Sequence, residues 1–257
     1  MQDDLAIPLG RRRIRPWLAL RGLVAVLRDP EDTTAGARFV LGLDGDRAEQ
    51  NFQRFASDPV GARLLAEGRA MSIVLSDRNA LRALPGDSLG GTYLRFIEEE
   101  SISAEGLAGK LIPVMAEVGA LDPARRFFHE RGNATHDLWH VVTGYSRDIL
   151  GELQLMAFSQ VQLRIRAYAF LLALNAVAIE HQASGTRRLL RIARDRARCA
   201  AWLATADWER LLPWPLDAVR VELRVSPPPA YTRHFHAGRL RLVAELREAP
   251  AHCLSTS

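Results

Sequence analysis

The chain has 257 residues, 48% of them hydrophobic, with 34 basic and 30 acidic side chains and a formal charge of +4. That length buries one large core or at most two small ones. The longest apolar run, "AYAFLLALNAVAI" at 167–179, falls short of the roughly 18 residues of a membrane-spanning helix. The basic residues are nearly all arginine, Lys110 being the single lysine, so the charge is not taken as a nucleic-acid footprint.

At the N-terminus, Arg11, Arg12, Arg13 and Arg15 precede an apolar segment interrupted by Arg21, with no small-residue cleavage site. Asp3 and Asp4 argue against a transit peptide. The basic cluster beside Trp17 is either a solvated arm or a contact with anionic lipid. In "WLALRGLVAVLRD", Trp17, Leu20, Val24 and Leu27 form one helical stripe. "DPVGARLLAEG" predicts a helix with Asp58 as its cap, Pro59 first and Gly68 at its end. "LPGDSLGGTYLRFIEEE" predicts a loop leading into a helix from about Gly91. "LDPARRFFHERG" starts on Asp-Pro and is expected to stop at Gly132.

Beyond the segment treated below, "ELQLMAFSQVQLRIRAYAFLLALNAVAIEHQASG" is one long apolar helix or two stacked ones, mostly core. Its small residues Ala167, Ala169, Ala173, Ala176 and Ala178 leave room for a groove. "TRRLLRIARDRARCAAWLATA" predicts a basic helix with Arg187, Arg191, Arg194 and Arg198 on one stripe, either solvated or facing anionic headgroups. The last helical segment is broken at Pro213 and Pro215, and only "VRVELRV" weakly alternates. Cys199 and Cys253 belong to no metal-ligand spacing or disulfide framework, which fits a reducing compartment. The chain divides into a basic arm at 1–15, a helical domain at 16–225 and a Pro-led tail at 226–257.

The segment "NATHDLWHVVTGYSRDILGELQL" carries the chemistry. Asn133 or Thr135 can cap a helix on which His136 and His140, four apart, share one face. Two imidazoles at that spacing hold zinc on helices. Asp137 is a third ligand or an acceptor that orients an imidazole. Glu152 lies twelve residues beyond His140, about 18 Å away on a continuous helix. It reaches the histidines only if "TGYSRD" turns the chain, with Gly144 ending one helix and Ser146 capping the next. A lone His pair on an apolar helix is commonly a satisfied core pair. Burying two carboxylates with it is costly unless a cation joins them. Taken alone, the motif also allows a metal-dependent hydrolase, although zincins place a glutamate where Asp137 stands.

The pattern His136-Asp137-x-x-His140, eleven residues, then Glu152, resembles the signature of the coenzyme Q (ubiquinone) biosynthesis protein 4 family. "DPVGARLLAEG", "LPGDSLGGTYLRFIEEE" and "DWERLLPWPLDAVRVEL" resemble further segments of that family. The resemblance implies an all-α, single multi-helix domain with an apolar groove for a polyprenylated aromatic lipid, and a metal site between two consecutive helices. It implies zinc, or another divalent metal, at His136, Asp137, His140 and Glu152, which are also the expected catalytic set. It implies a carboxy-lyase that oxidatively removes the ring carboxylate of a polyprenylated hydroxybenzoate, or else a non-catalytic zinc-containing scaffold for other ubiquinone biosynthesis enzymes. Arg126, Tyr145 and Arg147 lie near the motif and are candidates to bind the carboxylate or phenol. Expected partners are the lipid, a membrane surface, the other biosynthetic enzymes and a second copy of the chain, with no nucleic acid. The expected location is cytoplasmic, on the inner face of a bacterial cell membrane.

Overall fold

A computed structural model describes residues 14–28, 33–99, 122–180, 185–228, 232–236 and 239–243. The architecture is an all-α domain. Its first two helices, Pro16–Arg28 and Thr33–Asp44, form an antiparallel pair, with Arg15 N donating to Gly42 O at 2.8 Å. Glycine permits their closeness: a Cβ on Gly22 would stand 2.4 Å from Phe39 N, and one on Gly42 2.4 Å from Ala19 N. The pair packs on the Arg166–Glu180 helix through Ala19, Phe39 and Ala167.

The main core gathers buried residues from Met71 to Val225. Asp58 caps Pro59–Glu67, accepting from Val60 N and Gly61 N, and Gly68 ends it at φ 61°. Both features follow the sequence prediction. The Leu89–Glu99 helix starts two residues before Gly91 and buries Tyr93 and Ile97. The apolar stretch after the motif is two helices, Ile149–Leu163 and Arg166–Glu180, with Arg164 between them at φ 53°. Leu153, Leu155, Ala157, Phe158 and Leu172 are buried, while Phe170 and Leu174 are about half exposed. No apolar groove is delineated among the described residues.

Three local expectations are revised and one holds. The Pro123–Ala134 helix runs through Gly132, and only Thr135 separates it from His136–Thr143. Gly132 can stay helical because it needs no left-handed φ. The last segment is helical as expected, and the weakly alternating "VRVELRV" is mostly in its Leu216–Glu222 helix. A two-stranded antiparallel hairpin, Thr232–His236 with Arg239–Val243, lies in the segment read as a tail. Cys199 is held in a disulfide, which the spacing of two distant cysteines does not reveal; Cys253 lies outside the described residues.

Candidate metal centre

The His136–Thr143 helix is eight residues long and buries Leu138, Trp139, His140, Val141, Val142 and Thr143. Gly144 ends it in the left-handed conformation, φ 71°, with its N–H on the His140 carbonyl at 2.7 Å. The next helix begins at Ile149. Asp148, not Ser146, is its cap, accepting from Leu150 N and Gly151 N at 2.9 Å each. Ser146 supports that cap, its hydroxyl donating to Asp148 Oδ2 at 2.6 Å. The next helix therefore starts later than expected, and Glu152 sits in its first turn. A Cβ on Gly151 would stand 1.8 Å from Ser146 O, so the helix start is pressed against the preceding turn.

This reversal brings three of the four expected ligands together. One ligand atom from each of His136, His140 and Glu152 lies within 4.8 Å of the others. Asp137 is not in that group. It lies close enough to the buried Tyr93 that its charge adds to burial in pushing the Tyr93 phenol well above its ordinary value. The His136 and His140 rings meet edge to face, with centroids 5.0 Å apart. Phe96 stacks on His140, its ring centroid 5.7 Å away and its plane tilted by 25°. Glu152 is partly exposed, and Arg147 Nε is 3.5 Å from its Oε1.

His140 is fully buried, and its two nitrogens differ. Nδ1 is 3.0 Å from the Tyr145 carbonyl, which only accepts, so the ring proton belongs on Nδ1. Nε2 is buried with no hydrogen-bond partner. Glu152 Oε1 stands 3.4 Å from it, longer than a good hydrogen bond. In the neutral ring with that proton on Nδ1, the Nε2 lone pair faces the cluster. Burial, with His140 alongside, lowers the His136 imidazole below its ordinary value. Burial pushes the Glu152 carboxyl up, but His140, His136 and Arg147 outweigh it and hold it below the usual range. A neutral imidazole, as at His136, and a carboxylate, as at Glu152, are forms that bind a cation.

The donor set fits a divalent metal. Two imidazoles and one carboxylate, one imidazole oriented through its other nitrogen by a carbonyl, are the components of a zinc site. Donors about 2.1 Å from zinc stand about 3.4 Å apart, so small side-chain rotations would close the set.

The other predicted contacts are spread around the cluster. Arg147 is at its edge. Tyr145 reaches it through its backbone carbonyl, while its buried ring lies under Arg196, whose Cζ is 4.7 Å from the ring centroid. Arg126 is exposed on the preceding helix. The supports that the sequence did not single out are Phe96, Arg196 and Arg220. They come from distant segments, and no local spacing marks them.

A family model described as coenzyme Q (ubiquinone) biosynthesis protein Coq4 matches residues 23–229. A mitochondrial ubiquinone biosynthesis protein COQ4 homolog of Rattus norvegicus is 28% identical over 176 residues, 68% of this chain and 64% of that protein. The mitochondrial COQ4 of Komagataella phaffii is 28% identical over 177 residues, 67% of this chain and 55% of that protein. The chain thus spans about 64% or less of the length of these two relatives. A crystal structure from Nostoc punctiforme, named for ubiquinone biosynthesis, superposes with a TM-score of 0.59 at 20% identity, over 83% of this chain and 97% of that one. At that identity the likeness is one of fold.

The expected bacterial cytoplasmic location is corrected by these comparisons, because the curated relatives carry mitochondrial names. Two cysteines outside any metal or disulfide spacing suit any reducing compartment, so they could not single out a bacterial cytoplasm. No helix among the described residues is long and apolar enough to cross a membrane.

Proposed function

The chain belongs to the Coq4 family of coenzyme Q (ubiquinone) biosynthesis proteins, and from that premise we propose that it replaces the ring carboxylate of a polyprenylated hydroxybenzoate by hydroxyl at a site built from His136, His140 and Glu152. The observation that carries this reading is the convergence of those three side chains around an unpartnered, buried His140 Nε2. Three protein donors leave a tetrahedral site one position for substrate. Asp137, one residue along, adds negative charge beside the donors.

A divalent cation held there, with zinc suited to two imidazoles and a carboxylate, would supply fixed positive charge where the ring carboxylate binds and anionic charge develops. The chain's own residues do the remaining work. Tyr145 holds the proton of His140 on Nδ1. Arg147, already 3.5 Å from Glu152, can turn its guanidinium to a second carboxylate. Phe96 covers one face of His140 and excludes water from it. The bond from ring to carboxylate carbon breaks, carbon dioxide leaves, and the ring carbon gains an oxygen with dioxygen as oxidant. Two ring acids and one dioxygen would give two phenols and two molecules of carbon dioxide.

The test is turnover by purified, metal-loaded protein of a prenylated 4-hydroxybenzoate in the presence of oxygen. A product lacking the carboxylate and carrying a hydroxyl upholds the reading, and Glu152→Gln should abolish it. No release of carbon dioxide from a protein that retains metal overturns it. A second reading is then favoured, a non-catalytic lipid-binding scaffold, supported by the exposed apolar side chains Trp17, Leu20, Val24, Phe170 and Leu174.

A further inference from the structure

The carbonyl end of the short histidine helix is held by arginines from far along the chain. An α-helix leaves its last four carbonyls without intrahelical partners. Here these are His140, Val141, Val142 and Thr143. Gly144 N serves the first. Arg220 donates to Val142 O from Nε at 3.0 Å and to Val141 O from Nη2 at 3.3 Å. Arg196 donates to Thr143 O from Nη2 at 2.8 Å. All four carbonyls are thus accounted for, three of them by two guanidiniums.

Arg196 is unlike the other buried arginines. Arg125 and Arg131 each form a two-pronged pair with a glutamate, Glu49 and Glu209 respectively. Arg196 is 6% exposed, and among the described residues it makes no ion pair with a carboxylate. Its partners are the carbonyls of Thr143 and Ser226, the Ser226 hydroxyl and the Tyr145 ring. Burying a cation this way is costly, and the negative end of the helix offsets part of that cost. A purely apolar residue could fill the same space. What a guanidinium adds is direction: it fixes Thr143 O from one side and the face of Tyr145 from another.

We propose that Arg196, assisted by Arg220, is a positioning residue for the metal centre, locking the turn from Thr143 to Tyr145 so that the Tyr145 carbonyl meets His140 Nδ1. This rests on the metal reading above. The same turn presses Ser146 O against Gly151, one residue before Glu152. Displacing it moves the acceptor that orients one ligand and the helix start that carries another. Pro228 braces the turn from outside, its Cγ where a Cβ on Gly144 would come within 2.8 Å.

The test measures zinc affinity by chelator competition, the visible spectrum of the cobalt(II) protein, and the melting temperature of the metal-free protein. R196M and R220M are each expected to weaken zinc binding by roughly tenfold to a hundredfold, the usual effect of removing an outer support. Both should change the cobalt bands. R196K, which keeps one donor for Thr143 O, should recover part of the affinity. R125M, which breaks a buried ion pair elsewhere, should lower the melting temperature and leave zinc affinity unchanged. If R196M does not fold, R196K and R220M carry the test. Zinc binding like the wild type in R220M and in the folded Arg196 variant overturns the proposal. So does an equal loss in R125M, because the effect is then general destabilisation. A wild-type chain that takes up neither metal ends the metal reading, and the role of Arg196 with it.

Discussion

His140 Nε2 and Glu152 Oε1 face each other at 3.4 Å across a turn, although twelve residues separate them in the chain. The Tyr145 carbonyl calls for a proton on Nδ1, and in the neutral ring both facing atoms are then acceptors. Two acceptors aimed at one point repel unless a cation or a proton lies between them. The wild-type protein should therefore hold about one divalent ion per chain. His140→Ala should abolish binding. Asp137→Asn, outside the converging set, should weaken it less. Elemental analysis after dialysis checks both, and stoichiometric metal in His140→Ala would sink the assignment.

Two glycines near the site should respond to alanine with opposite sign. At Gly151 a Cβ would meet the Ser146 carbonyl, a backbone atom that cannot swing aside. Gly151→Ala should cost about 3 kcal/mol of stability, at the upper end for overpacking, and reduce metal uptake. Gly132 is exposed within the Pro123–Ala134 helix, and a Cβ there would meet nothing within 4 Å. Gly132→Ala should stabilise by about 0.5–1 kcal/mol. Chemical denaturation of the two variants decides it.

Stability should carry the signature of one buried carboxyl. Asp44 is 5% exposed, and burial raises its pKa from 3.8 to about 6, against the pull of Arg166. Its folded value exceeds its unfolded one, so the folded state binds the extra proton between those limits. Stability from this group is then present below pH 3.8 and is lost as pH rises toward 6. The full loss is about 3 kcal/mol. Asp44→Asn keeps an oxygen for the Arg166 N–H, 2.9 Å away in the wild type, and carries no charge. At neutral pH it should melt several degrees above the wild type, and the two melting curves should converge near pH 4. A variant that melts lower at neutral pH contradicts this.

The first helix should bind lipid. Trp17 is 77% exposed, and Leu20 and Val24 share its face, with Arg15 and Arg21 exposed beside them. Vesicles with anionic headgroups should capture the protein at low salt and release it as salt rises. Trp17→Ala should weaken capture. Equal capture by neutral vesicles would show that the arginines play no part.

Much of the candidate site was legible because its donor residues are close in sequence. The four-residue spacing of His136 and His140 shows on any helix, and Gly144 announces the stop that lets Glu152 return. The cap was misplaced to Ser146 because both serine and aspartate accept from amides, and only the turn geometry gives the role to Asp148. Phe96, Arg196 and Arg220 could not be read as supports. Each lies tens of residues from the ligand helix, and a guanidinium serving a carbonyl looks in sequence like any surface arginine. The hairpin at 232–243 was hidden by strands only five residues long.

The eight-residue length of the histidine helix has a consequence for how the protein is made. Isolated helices shorter than about 12–15 residues are marginal in water. This one is completed by Arg196, 53 residues beyond Thr143, and by Arg220, 78 residues beyond Val142. During synthesis the three candidate donors, His136, His140 and Glu152, leave the ribosome long before the residues that hold their turn. A nascent chain that ends before Arg196 has every donor atom and no fixed arrangement for them. Closing loops of that size comes late in folding, so the fixed arrangement of these donors belongs to the finished chain rather than to the growing one.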